Sequence, residues 1–166
     1  MILNKPHLLP ALVPVLMLFA GCWYYSFSGS TLPPHINSVA VPLFTDTSAE
    51  FGIDQLLTDT VIDVISTDNT LAISSIQGAS SILKGSITRI TDRADTYDQQ
   101  ENASAFRITI SVNVIFEDLR KNTVLWEETF SHWGRYDNAS ITREDGIREA
   151  ANKIAEEILN RTVSGW

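Results

Sequence analysis

Between Phe106 and Glu117 apolar and polar residues alternate almost without a break. Phe106, Ile108, Ile110, Val112, Val114 and Phe116 fall on one side of an extended chain. Arg107, Thr109, Ser111, Asn113 and Glu117 fall on the other, and Ile115 is the exception. The pattern predicts a strand with one buried and one wet face, as antiparallel sheets allow. Its span is about 35 to 40 Å, long for a small domain. Asp118 to Asn122 predicts a turn, after which Val124, Trp126, Glu128 and Phe130 alternate back towards Trp133 as a partner strand. Upstream, Ile82 to Thr91 predicts another strand, whose central Gly85 suggests a bulge or a close neighbour, such as a helix lying over it. The polar stretch Asp92 to Ser104, with Asp95, Asp98 and Glu101, reads as a long exposed hairpin connection.

A period near 3.6 marks two helices. From about Glu50 to Ser66 the apolar positions Ile53, Leu56, Leu57, Val61, Ile62 and Ile65 form one stripe, and Asp68-Asn69 ends it. From about Thr142 to Thr162 the stripe is Ile147, Ala151, Ile154, Ile158 and Leu159, with Ala150 and Ala155 small enough for close approach to a sheet. Thr142 followed by Asp145 resembles a capping box with Asp in place of Glu. Ser38 to Phe44 predicts a first strand, at an edge or end near Pro42, which has no N–H to give. Leu71-Ala72-Ile73 suggests a short one. The order β-α-(β)-β-β-β-α predicts an α+β, two-layer sandwich. Two helices would lie on one face of a mixed, largely antiparallel sheet of about four strands. The other sheet face, with Arg107, Thr109, Ser111 and Asn113, is either solvated or laid against another protein.

The N-terminus follows a different pattern. A short head with Lys5 precedes an uncharged run from Leu8 to Ala20, 13 residues, ending in the small pair Ala20-Gly21. This is the layout of a secretory signal peptide, and it is short of the roughly 20 apolar residues of a membrane span. The sole cysteine, Cys22, follows directly. Leu18-Phe19-Ala20-Gly21-Cys22 resembles a bacterial lipobox, which implies cleavage before Cys22 and lipidation of its sulfur. The alternative is a free, buried thiol behind an ordinary signal peptide. Residues 1–21 then form the signal peptide, 22–37 a lipidated tether and 38–166 a single domain. Ser and Gly loosen the tether, and Pro33-Pro34 stiffens its end. Trp23, Tyr24, Tyr25 and Phe27 suit either a membrane-interface belt or packing on the domain edge.

Removing residues 1–21 takes away Lys5, one of 12 basic residues, and no acid, so 11 remain against 20 acidic residues and the net charge is −9. That balance argues against nucleic acid as a partner. Catalytic patterns are nearly absent. His35 and His132 sit in no metal-ligand spacing, no CxxC or HExxH occurs, and no GxSxG elbow holds a serine. A Ser-His-Asp arrangement stays open. Glu127-Glu128 and Glu156-Glu157 read as solvated surface. The expectation is a binding or assembly component, not an enzyme, with no cofactor and no metal.

Several segments taken in order resemble the LptE family. They are Cys22-Trp23-Tyr24-Tyr25-Ser26-Phe27-Ser28-Gly29, the stretch from Leu32 to Phe44, Leu83-Lys84-Gly85-Ser86-Ile87-Thr88-Arg89, Val124-Leu125-Trp126-Glu127-Glu128, and the ending from Ala155 to Trp166. The family more often has Gly-Tyr after the cysteine, where this chain has Trp23-Tyr24. The resemblance implies an outer-membrane lipoprotein, on the periplasmic face, that assembles with and plugs an LptD-type β-barrel and can bind lipopolysaccharide. Phosphates on that lipid call for cations, and Lys84, Arg89, Arg93 and Arg107 on neighbouring strand segments are the candidates; the alternative is that they are ordinary solubilising charges. The strand at Ser38 to Phe44 with its helix also resembles the start of CsgG-like secretion lipoproteins and of lipoprotein activators of peptidoglycan synthases.

Overall fold

The computed structural model describes residues 32–48, 50–97, 103–137 and 139–164. The expected signal peptide, Cys22, the aromatic residues from Trp23 to Phe27, and Trp166 lie outside the described residues. The elements are β1 (Ser38–Ala40), β2 (Thr45–Asp46), α1 (Ile53–Asp68), β3 (Ala72–Ile73), β4 (Ser81–Tyr97), β5 (Ala103–Asp118), β6 (Thr123–Tyr136) and α2 (Arg143–Ser164).

The alternating strand forms as its pattern predicts. Ile108, Ile110, Val112, Val114 and Phe116 are buried beneath the two helices. Against them pack Leu57, Val61 and Ile65 of α1 and Ala150, Ala151, Ile154, Ala155 and Ile158 of α2. Helix α1 ends at Asn69, whose left-handed backbone (φ 66°) turns its N–H back to the Ile65 carbonyl. At the start of α2 the cap is reciprocal: Thr142 N–H donates to Asp145 Oδ2 (3.0 Å), and Asp145 N–H donates to Thr142 Oγ1 (3.1 Å).

The sheet departs from expectation. Among the described residues it has six strands, not four, and it is mixed rather than largely antiparallel. Its order is β3-β1-β4-β5-β6, with β2 also on β4. β1 pairs in parallel with β3 and β4, and β2 in parallel with β4; β4–β5 and β5–β6 are antiparallel. The expected single strand from Ser38 to Phe44 is broken at Pro42. Ala40 faces Ile82 and Thr45 faces Ser86, so five steps of the chain match four of β4, and Pro42-Leu43 bulge away. The α1 crossover supplies the connection that parallel pairing needs.

Two glycines set close approaches. The neighbour of Gly85 is not a helix but the buried ring of Phe44, and a Cβ there would lie 2.3 Å from Phe44 Cδ2. At Gly134 on β6, a Cβ would lie 1.9 Å from the Gly146 carbonyl oxygen, so the first turn of α2 rests directly on the strand.

The polar stretch from Asp92 is also corrected. β4 continues to Tyr97 and β5 begins at Ala103, paired up to Tyr97↔Ala103. Asp98 and Glu101 lie outside the described residues. At its inward position Asp92, opposite Ile108, is met by polar groups. Asp92 accepts from Tyr136 Oη (2.9 Å) and from Arg143 Nη2 (3.0 Å), while the same Arg143 grips both Glu50 oxygens (2.7 and 3.0 Å). Arg143 thereby draws the Glu50 carboxyl below its ordinary range, while burial and the Asp92 bond push the Tyr136 hydroxyl up. The knot joins the N-terminal ends of both helices to the sheet.

Candidate functional site: the open sheet face

Register decides which side chains share the face turned away from the helices. On β5 it carries Arg107, Thr109, Ser111, Asn113, Ile115 and Glu117. Opposite them on β4 stand Arg93, Thr91, Arg89, Ser86 and Lys84, and on β6 Arg135, Trp133, Ser131, Thr129 and Glu127. Lys84 and Arg89 differ in parity, and an unbroken strand would turn them to opposite sides. A bulge between Ile87 and Arg89 inserts Thr88 and brings them to the same face. Thr88 Oγ1 donates to the Ser111 carbonyl (3.2 Å) and braces the bulge.

The four expected cations do not form one cluster. Lys84 stands at the lower end, nearest the β5–β6 turn, where both Glu117 carboxylate oxygens hold it (2.9 and 2.8 Å). Arg93 and Arg107 stand at the upper end as direct cross-strand partners, with Arg89 two positions below. Sequence reasoning missed the third member: Arg107 is also opposite Arg135. Three guanidinium side chains therefore start from one level of β4, β5 and β6. Arg107 is held by Asp95 (2.6 Å) and lies 4.1 Å from the centre of the Trp133 ring, which Lys153 also approaches at 4.5 Å. Its Nε is buried without a hydrogen-bond partner. Among the described residues neither Arg89, Arg93 nor Arg135 has an ion-pair partner. Like charges opposite one another weaken a sheet; Asp95 offsets the central Arg107, while Arg93 and Arg135 on either side stay uncompensated among the described residues. The alternation from Trp126 through Phe130 to Tyr136 already carried the signal for Trp133 and Arg135, because it sends the odd positions to the open face.

The rest of the face is neutral or acidic. Ser111 and Ser131 hydroxyls meet at 3.0 Å, and Asn113 Nδ2 donates to Glu127 Oε1 (3.0 Å). Beneath it, His35 Nε2 donates to Asp118 Oδ2 (2.6 Å) and fastens the strap before β1 to the end of β5. Burial pushes the Asp118 carboxyl up. The bonds from His35 and from the Lys121 and Arg120 N–H groups outweigh it and hold the group below its ordinary range. His132 Nε2 is likewise spent on Glu157 (2.6 Å). Among the described residues neither histidine is bonded to a serine, no metal-ligand cluster forms, and no helix is long and apolar enough to cross a membrane. The arrangement can bind and pair.

Solved structures share this fold at low identity. A protein of Chlamydia trachomatis, CT253, is 11% identical with a TM-score of 0.59, over 75% of this chain and 94% of its own. PelC of Paraburkholderia phytofirmans, a dodecamer, is 15% identical with a TM-score of 0.57, over 84% of this chain and 95% of its own. XCC0632 of Xanthomonas campestris is 15% identical with a TM-score of 0.55, over 80% and 90%. No curated protein matches the sequence. The family model described as LptE, lipopolysaccharide-assembly, matches residues 36–162, which is nearly the whole described domain. The chain therefore belongs to the LptE family of lipopolysaccharide-assembly lipoproteins of the outer membrane, a family without enzymatic activity.

Proposed function

We propose that residues 1–21 are a cleaved signal peptide, that Cys22 carries the acyl chains, and that residues 22–37 tether the domain 38–166 to the periplasmic face of the outer membrane. In this reading the domain assembles with and plugs an LptD-type β-barrel, and its open sheet face receives lipopolysaccharide. One acyl chain alone binds a bilayer marginally, so stable anchoring needs the several chains a bacterial lipoprotein cysteine carries.

The observation that carries the reading is the arginine row of Arg93, Arg107 and Arg135 with Arg89 beside it. Guanidinium groups offer paired N–H donors to phosphate oxygens; Arg93 and Arg135 carry no ion pair among the described residues, and Arg107 between them joins once Asp95 releases it. Lys84 remains a candidate contact, but Glu117 must release it first. The net acidity of the chain confines attraction for an anionic lipid to this end of the sheet.

The test is binding of purified lipopolysaccharide to the detergent-solubilised protein as a function of salt. Arg93→Ala with Arg135→Ala is expected to weaken binding about tenfold or more and to flatten its salt dependence, with the melting temperature unchanged or raised. Unchanged affinity in that double variant would remove the row from the account.

A further inference from the structure

β6 is the last strand of the sheet, and its free edge is treated in two ways along its length. Because β5 and β6 stay in register from Phe106↔Tyr136 to Phe116↔Trp126, backbone groups alternate strictly between facing β5 and facing outward. Side chains of α2 mark which residues face outward. Lys153 Nζ donates to the Trp133 carbonyl (3.0 Å), and the Arg135 N–H donates to Glu149 Oε2 (3.0 Å). The upper edge is thereby closed. By the same parity Glu127, Thr129 and Ser131 turn both N–H and C=O outward, and among the described residues nothing bonds them. Below, the bulge at Leu125, between Phe116 and Glu117 in the register, ends regular pairing. The result is a bounded window five residues long, about 17 Å, with no proline and no lysine guarding it.

Charge identifies what fits the window. Glu127 and Glu128 stand on the strand itself, Glu157 reaches it through His132, and Glu156 lines the same surface as His132 and Glu157. Arg161 answers Glu128 and His132 answers Glu157, while Glu127 has only the Asn113 amide and Glu156 has no ion pair among the described residues. A second copy is the wrong occupant, because antiparallel pairing of two such edges would bring both acidic sets together. We propose that this edge takes an extended, basic segment of a partner protein, added to the sheet as a seventh strand beside β6. Main-chain hydrogen bonds to Glu127, Thr129 and Ser131 would supply the affinity, and lysine or arginine at alternate positions the selectivity. The surface is separate from the arginine row and does not rest on the lipopolysaccharide reading.

The experiment measures amide exchange by NMR on the full-length, 15N-labelled protein in mild detergent, with the acetylated peptide TKVKVKT and its acidic counterpart TEVEVET. With the basic peptide at about ten times its Kd, exchange at Glu127, Thr129 and Ser131 is expected to slow about tenfold. Glu128 and Phe130, already bonded to β5, are expected not to change. Thr129→Pro removes an outward N–H that the fold does not use, so it should abolish the protection at an unchanged melting temperature. Should that variant fold poorly, Glu127→Lys with Glu156→Lys is expected to weaken the peptide about tenfold or more. Equal protection by the acidic peptide, protection that misses these three amides, or self-association abolished by Thr129→Pro would each overturn the proposal.

Discussion

Gly134→Ala adds one carbon where helix and sheet touch. The new Cβ would lie 1.9 Å from the Gly146 carbonyl oxygen, 2.7 Å from its carbonyl carbon and 3.0 Å from its Cα. All three are backbone atoms, so no side chain can swing away. The first turn of α2 must lift by about 1 Å even to reach the closest separation such atoms tolerate. That turn holds the Thr142–Asp145 cap and Arg143, whose bonds to Glu50 and Asp92 run from 2.7 to 3.3 Å. Lifting it also opens the layer of Ile147 and Ala150 over the sheet. Overpacking costs about 1–3 kcal/mol and occasionally more; with backbone on both sides the upper end applies, so about 3 kcal/mol is expected. For a domain of this size that lowers the melting temperature by about 12 °C. Gly146→Ala is the internal control. Its Cβ would meet Ile108 Cγ2 at 3.2 Å and the Arg135 carbonyl at 3.3 Å. That crowding is offset by the gain of about 1 kcal/mol from replacing a helical glycine, so it should be near neutral. Circular dichroism melts and urea titrations of both variants make the comparison. Gly134→Ala within about 0.5 kcal/mol of the parent would refute the direct helix–strand contact.

Three further outcomes are expected. Gly85→Ala should cost about 1–3 kcal/mol, because the added Cβ would lie 2.3 Å from the Phe44 ring, which is itself buried; a urea midpoint equal to that of the parent would contradict the stacking. Trp126→Ala should cost about 3–5 kcal/mol, since the ring is 5% exposed and lies between Phe116 and Phe130; near-unchanged stability would show the cluster to be dispensable. Asp118 has its carboxyl held below the ordinary 3.8, so its contribution is complete above that pH and is lost as pH falls through the lowered value. Asp118→Asn should therefore be less stable than the parent at pH 6, and the gap should narrow in acid; a gap that widens below pH 4 would mean that the His35 bond does not stabilise the ionised form.

The elements that sequence predicted well are those whose burial is one-sided. β5 alternates cleanly because every second residue sits under a helix. The α2 stripe and its cap likewise follow from local rules that tertiary contacts reinforce. What escaped prediction depends on register. Thr88 and Leu125 are bulges that no composition marks, yet the first sets which side Arg89 and Arg93 take and the second turns Val124 away from the side of Trp126. The upper part of β4 looked like a loop because Asp92 replaces an apolar residue, and only the facing Tyr136 and Arg143 explain it. Gly85 signalled a close neighbour correctly, but a neighbour brought by the parallel pairing of β2 could not be read from either segment alone. The candidate site was therefore half legible: Arg93 and Arg107 were singled out for their charge, while the row that unites them with Arg135 is a property of the sheet.

The assembly role is tested most directly by mild-detergent purification of the tagged lipoprotein from outer membranes, followed by mass spectrometry of what accompanies it. Recovery of a large β-barrel of the LptD type in near-equal amount is the predicted result. Recovery of a peptidoglycan synthase, or of a ring of the protein itself with no barrel, would contradict it.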